Sequence, residues 1–403
     1  MSIYKSLFAP LLLAASAANA QPPAYEMTLL PHFDYVGGIN DLGQMTGSVL
    51  DANNDRLPVV WTPDATKHFR FLGMPGDSAS AINNAGQVAG EHQFAPGQWR
   101  AAIFDNGRIQ DLGGPDGFSS IGRAINAGGQ VAGALGNDPL KPHAFLYANG
   151  QMADLGAFSG DRSDAFGIND TGQVVGTSLV LGVGGAPNTW RAFEYSDGTM
   201  NQLDLGNAFS IARDINNAGQ VVGELAPSDE DGVHAFLYQD GRLHDLGNLG
   251  GNTTSALSIN ERGDIVGYGT TGPGDTVHGF IYVDGKIVDV NTLLVAPDHW
   301  QITRASAINE EGQIVSLACR TDSQYDCMHA LLSPVPEPAP PVLWSGGLLL
   351  FAAWWVLRRP GERSAGARRE QLGRIGRHGR MRVHPPCFSL ARGACASQPR
   401  IFS

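Results

Sequence analysis

The stretch from Ser210 to Leu246, SIARDINNAGQVVGELAPSDEDGVHAFLYQDGRLHDL, decides the fold. Ser210 to Ile215 alternates as a strand does, Asn216-Asn217-Ala218-Gly219 is a turn, and Gln220 to Glu224 reads as a second strand. His234 to Tyr238 gives a third, Asp240-Gly241 a two-residue turn, and Arg242 to Leu246 a fourth. The first turn suits a type I geometry with glycine in the left-handed position; the second is a type I′ hairpin signal.

The unit recurs along the chain. Its Ile-Asn-x-x-Gly element places asparagines at Asn40, Asn83, Asn126, Asn169, Asn216, Asn260 and Asn309, spaced by 43, 43, 43, 47, 44 and 49 residues. The hairpin signal returns at Asn106-Gly107, Asn149-Gly150, Asp197-Gly198 and Asp284-Gly285. No window sustains a 3.6-residue period, so seven four-strand units predict an all-β, seven-bladed β-propeller, not a helical solenoid. The last unit runs from His329-Ala330-Leu331-Leu332 into prolines and lacks a fourth strand, while Glu26 to Leu30 stands where a fourth strand precedes the first motif. That N-terminal strand is expected to close the ring, whereas a linear stack of the same units would leave two edges open.

The third strand's His143-Ala144-Phe145 and His234-Ala235-Phe236, with variants at Arg191-Ala192-Phe193, His278-Gly279-Phe280 and His329-Ala330-Leu331, resemble the repeat of the HAF-repeat extracellular proteins from about Gly37 to Leu332. The resemblance implies architecture and location, and no reaction.

Both ends read as export signals. Lys5, the apolar run Leu7 to Ala15 and Ala18-Asn19-Ala20 have the order of a secretory signal peptide over residues 1–20, cut by signal peptidase after Ala20. The propeller is expected over 21–333 and a Pro-rich motif and linker over 334–341. The apolar segment 342–357 would rise about 24 Å as a helix, enough to span a membrane with help from its flanks. Val335, Pro336, Glu337 and Pro338, then this helix, then Arg358 and Arg359, resemble the PEP-CTERM sorting signal, which implies processing by an exosortase. Members of that family end soon after the arginines, whereas here a basic tail, read as disordered, continues over 358–403.

The tail holds eleven arginines and two acids; with 27 Lys plus Arg and 39 Asp plus Glu overall, that leaves 16 against 37 upstream. So acidic a body argues against nucleic acid as its ligand. Cys387 and Cys395 lie in the tail, so Cys319 and Cys327, flanking a short loop in the last unit, are the plausible disulfide.

No motif supplies a reaction. There is no Gly-x-Ser-x-Gly elbow, His-Glu-x-x-His or phosphate loop, and Gly76-Asp77-Ser78 falls where other units have a turn. Asp111, Asp154, Asp204 and Asp245 recur in an Asp-Leu-Gly element and read as turn-fixing groups. His143, His234, His278 and His329, one per blade, are too dispersed for one metal. Asp51, Asn53 and Asp55 alternate as calcium ligands do, but the segment lacks the glycine and distal glutamate of a calcium loop and reads first as an Asx-rich turn. No cofactor is expected.

Variable connections between second and third strands should emerge on one face, with Trp99, Trp190 and Tyr325 in or beside them as candidate ligand contacts. The expectation is an exported, envelope-anchored or released non-catalytic propeller binding an extracellular polysaccharide or envelope protein, membrane-held by its C-terminal helix before processing. The alternatives are a polysaccharide lyase or hydrolase with carboxylates at the channel mouth, and a purely structural matrix protein.

Overall fold

A computed structural model describes residues 22–336 except 31, 64–68, 139, 185, 207–208, 228–231, 273–275 and 324–325. Outside the described residues lie Ala18 and Ala20, Tyr325, Glu337 and Pro338, the apolar segment 342–357, and the tail with Arg358 and Arg359. Among the described residues no helix is long and apolar enough to cross a membrane.

The described chain is a seven-bladed β-propeller of four-stranded antiparallel sheets. Blade 5 shows the pattern: strands Phe209–Ile215, Val221–Ala226, His234–Gln239 and Arg242–Asp245 pair in that order. The first strand of each blade is innermost: Phe33–Ile39, Ser78–Ile82, Ser119–Ile125, Ser163–Ile168, Phe209–Ile215, Thr254–Ile259 and Trp300–Ile308. An up-and-down meander puts the Asn-x-x-Gly turns and outer hairpins on one face, and the connections between second and third strands on the other.

Both turns form as their sequences dictate. Gly219 (φ +74°) donates to the Asn216 carbonyl at 3.0 Å, and Asp240 (φ +51°) with Gly241 (φ +72°) makes the outer hairpin. The Ala-Phe of the third strand splits its duties. Phe145, Phe193, Phe236 and Phe280 are completely buried in clusters that straddle neighbouring blades. The preceding amides of Ala144, Ala192 and Ala235 donate to Ser163 Oγ, Ser210 Oγ and Thr254 Oγ1 of the next blade at 2.8–3.0 Å.

The ring closes by Tyr25–Leu30, which pairs antiparallel with Cys327–Pro334, from Tyr25 opposite Pro334 to Leu30 opposite His329. Tyr25 and Leu30 are buried, and the last blade gains the outer strand that its own sequence lacks. The strand runs one residue past the boundary expected at 333. Val335 then donates to the Ala24 carbonyl at 2.8 Å, so the two ends leave the ring side by side. Tyr25 and Pro334 share a cavity with Glu311 and Gly312, which places that exit on the face of the asparagine turns.

Candidate functional site

The seven asparagines form a closed hydrogen-bonded ring. Each Nδ2 donates to the carbonyl of the next one: Asn40 to Asn83, Asn83 to Asn126, Asn126 to Asn169, Asn169 to Asn216, Asn216 to Asn260, Asn260 to Asn309 and Asn309 to Asn40, at 2.9–3.3 Å. Each Oδ1 accepts the amide four residues on, as Asn216 does from Gln220 at 3.0 Å. The repeated residue is a seam bolt, and its polar atoms are consumed by the fold.

At this mouth stand Asp41, Asp170, Glu261 and Glu310, one residue after their asparagines, with carboxylates that accept amides of the preceding blade. Burial, then the charges of Glu310, Asp170 and Asp41, push the Glu261 carboxyl above its usual value. This end of the channel repels anions.

The middle of the channel has the opposite sign. Every inner strand is irregular three residues before its asparagine, and the extra residue is Gly37, Ser80, Arg123, Phe166, Arg213, Leu257 or Ser306. All seven line one cavity of about 590 Å³, together with Asp34, Tyr35, Val36, Arg304, Leu317 and His329. Bulges aim a side chain away from the regular pleat, and here they aim one per blade at the axis. The bulge also explains a glycine column in the second strands. A Cβ at Gly47, Gly90, Gly133, Gly176, Gly223 or Gly267 would lie 1.9–2.0 Å from an inner-strand carbonyl. Blade 7 has Ser316 in that column; its inner strand, like that of blade 1 between Phe33 and Tyr35, carries a second irregularity, between Ile302 and Arg304, and Arg304 lines the channel as Tyr35 does.

The three arginines differ in their partners. Arg123 forks onto Asp164 at 2.8 and 2.9 Å, and Arg213 reaches Glu224 at 2.5 Å. Both guanidinium groups also flank the Phe166 ring, at 5.6 and 5.2 Å. Arg304 lies over Tyr268 at 4.9 Å, and among the described residues no carboxylate is within ion-pair reach of it. Tyr35 keeps 49% of its surface open to the channel. Enclosure pushes its phenol up, with Arg123 and Arg304 opposing. Burial pushes His329 down, towards the neutral imidazole.

Beside Arg123 a second cavity of about 230 Å³ holds Glu91 and Asp164. Burial raises both carboxyls, with Arg123 opposing in each case and Asp77 adding to Glu91. Asp164 has both oxygens engaged by Arg123, and Asp138, a third carboxylate lining this cavity, accepts the Leu140 amide through Oδ1.

The residues singled out in the sequence fall elsewhere. Asp111, Asp154 and Asp245 accept the glycine amide two residues on at 2.7–2.8 Å. The structure adds what the sequence reading missed: His143 meets Asp154 and His234 meets Asp245, with a third pair at His278 and Asp289, at 2.6–3.1 Å. A constant spacing of 11 residues was the available signal. Asp51 Oδ1 accepts the amides of Asn53 and Asp55 at 2.8 and 2.9 Å, making the segment an Asx turn. No group of three His, Cys, Asp or Glu able to hold a metal is present among the described residues. Asp77 of the Gly-Asp-Ser turn fixes Met74 N and meets buried His92 Nδ1 at 2.7 Å. Trp99, packed over Gly76, and Trp190 are half-buried in third strands, and neither lines the channel cavity. Cys319 and Cys327, directly opposite across their hairpin, are disulfide-bonded.

Fold and channel define a β-propeller with a framework of repeated, mutually satisfied polar groups and an axial cavity of unlike residues. The family described as "Protein of unknown function (DUF3466)" matches residues 161–332, the stretch of blades 4 to 7. No curated protein matches the chain. Among solved structures it is similar to TolB from Acinetobacter baumannii (11% identity, TM-score 0.40, covering 73% of this chain and 64% of that one). Dipeptidyl peptidase 4 from Porphyromonas gingivalis (10%, 0.45, 77% and 54%) and YCF48 bound to D1 peptide (11%, 0.46, 80% and 97%) are similar as well. The chain spans less than two thirds of the first two, and the likeness is one of fold alone.

Proposed function

We propose that this chain is an exported, non-catalytic β-propeller that binds an extracellular polysaccharide or envelope protein. The observation that carries the reading is the bulge position: one residue per blade lines the axial cavity, and it varies among Gly, Ser, Arg, Phe and Leu while the framework around it repeats. A rigid scaffold presenting unlike side chains to one cavity is the arrangement of a recognition site.

Export rests on the sequence: residues 1–20 read as a signal peptide, the HAF-like repeat accompanies extracellular proteins, and the Val335-Pro336-Glu337-Pro338 motif precedes an apolar segment and paired arginines. In this reading signal peptidase and an exosortase-type enzyme process the chain, with the helix over 342–357 holding it in the membrane meanwhile. The described chain leaves the propeller on the asparagine-turn face, opposite the variable loops.

The test is a glycan-array and envelope-polysaccharide screen on the purified protein, with mass spectrometry for shortened products. Saturable binding with intact glycan is the expected result. Cleaved glycan would replace this reading with an enzyme centred on Glu91, and silence in both would shift it to a structural role or a protein partner. Replacing Glu337 should leave uncut, membrane-retained protein; unchanged processing would sink the sorting proposal.

A further inference from the structure

Within that binding function, we infer that the axial cavity takes an acidic sugar, a hexuronate unit of an extracellular polysaccharide, with Arg304 as the residue that grips its carboxylate. The inference rests on the binding reading and names the ligand class of the same site.

Three guanidinium groups enter the cavity, in a chain whose body upstream of the basic tail is acidic. Asp164 neutralises Arg123 and Glu224 neutralises Arg213, and both of those arginines are further fixed against Phe166. Arg304 is different. Its guanidinium is steadied on the Tyr268 face at 4.9 Å and exposed to the channel, with no carboxylate of the described chain in reach. A planar fork held in one orientation with its donors unsatisfied suits a planar carboxylate, which accepts two parallel N–H bonds. Asp34, the one acid among the cavity-lining residues, is already paired with Arg56 at 2.6 Å.

The rest of the wall suits a sugar. Tyr35 offers an open aromatic face beside Arg304, and Ser80 and Ser306 offer hydroxyls. The volume, about 590 Å³, falls within the roughly 300–1,000 Å³ of small-ligand sites. The acidic mouth at Asp41, Asp170, Glu261 and Glu310 repels an anion from that end, so the ligand enters from the variable-loop face.

Titration calorimetry on the full-length protein with trigalacturonic acid, and with galactotriose as the neutral counterpart, tests this. The expected result is binding of the acidic trimer alone, weakened by added salt, and weakened roughly 10- to 100-fold in R304Q, as loss of a charge-assisted pair implies. R304K keeps the charge without the fork and should fall between; unaltered thermal unfolding of both variants excludes misfolding. Equal binding of both trimers, or binding of the acidic one that R304Q leaves unchanged, overturns the inference and leaves the binding module standing. No binding of either trimer overturns the inference, and silence across the wider glycan array as well overturns polysaccharide binding as the proposed function.

Discussion

Asn309 Nδ2 donates to the Asn40 carbonyl at 2.9 Å, across the seam where the last blade meets the first. The two residues are 269 positions apart, yet the bond is the one that Asn83 makes to Asn126 within a continuous chain. A seven-fold ring closes without distortion only if the closing seam equals the other six, and this one does. Hydrogen bonds from the amides of Glu310, Asp41 and Asp170 to the side chains of Asp41, Asn84 and Asn217 add a second circuit, interrupted where Ala127 offers no acceptor to Asn84.

Replacing Asn309 by Ala removes the bond to Asn40 and two bonds to Gln313, and leaves the Asn40 carbonyl buried without that donor. The expected loss is on the order of 3 kcal/mol in urea unfolding. N126A should lose about as much, since its bonds are the same. N309D, which is isosteric but turns the donor into an acceptor facing Asn40 O and Gln313 Oε1, should be no better than N309A. A closing-seam variant within about 0.5 kcal/mol of the parent would show that the ring does not depend on this bond.

Deleting Tyr25–Leu30 opens the edge of Cys327–Pro334 and uncovers the groups that Tyr25 and Leu30 pack against. Those two side chains alone are worth about 1.5–3 kcal/mol each. The truncated protein should lose cooperative thermal unfolding or self-associate through the bare edge in size-exclusion chromatography. A synthetic peptide spanning Pro22 to His32, added in trans, should restore the monomer. A stable truncated monomer would mean that the last blade does not need its outer strand.

The repeat made the architecture legible. Asn216-x-x-Gly219, Asp240-Gly241 and the surplus strand before Ile39-Asn40 are local signals, and the structure realises each of them. The site was not legible in the same way, because attention to what repeats draws the eye to the framework. Arg123, Phe166 and Arg213 occupy one column, three residues before the motif, where no single residue type is kept from blade to blade; only the bulge turns that column towards the axis. Arg304 lies outside the column, at the second irregularity of its strand, which no local pattern announces. Trp99 is half-buried, and the glycine at position 76 gives its ring a surface to pack on.

The disulfide spans a loop of eight residues in sequence separation, for which loop-closure entropy gives about 2 to 3 kcal/mol. The double variant C319S/C327S should lose that much, and a non-reduced proteolytic digest of the parent should yield the two segments as one linked peptide. Both segments recovered separately with free thiols would refute the bridge. Because Cys327 begins the strand that receives Tyr25–Leu30, the loss should also raise the rate at which the closing edge exchanges amide hydrogens.

Asp214 gives stability a pH dependence that can be assigned to one residue. It sits in the inner strand of blade 5, and its carboxylate accepts the amide of Ile215 at 2.9 Å and that of Ile259, in blade 6, at 3.0 Å. Burial nevertheless wins over these bonds and raises the carboxyl from 3.8 to about 6. The folded protein therefore binds this proton more tightly than the unfolded chain does. The group's stabilising contribution is complete below about pH 4, declines as pH rises through 6, and is gone above it. Since the residue keeps some exposed surface, the swing is on the order of 1 kcal/mol. Asn at this position keeps one acceptor and cannot ionise. D214N should thus be less stable than the parent at pH 4, through the lost acceptor, and should recover relative to it by pH 7.5. Urea midpoints for the two proteins across that range measure the difference, which cancels the titration of every other carboxylate. Parallel curves would mean that Asp214 is ionised throughout and that its two amide bonds, not burial, set its charge.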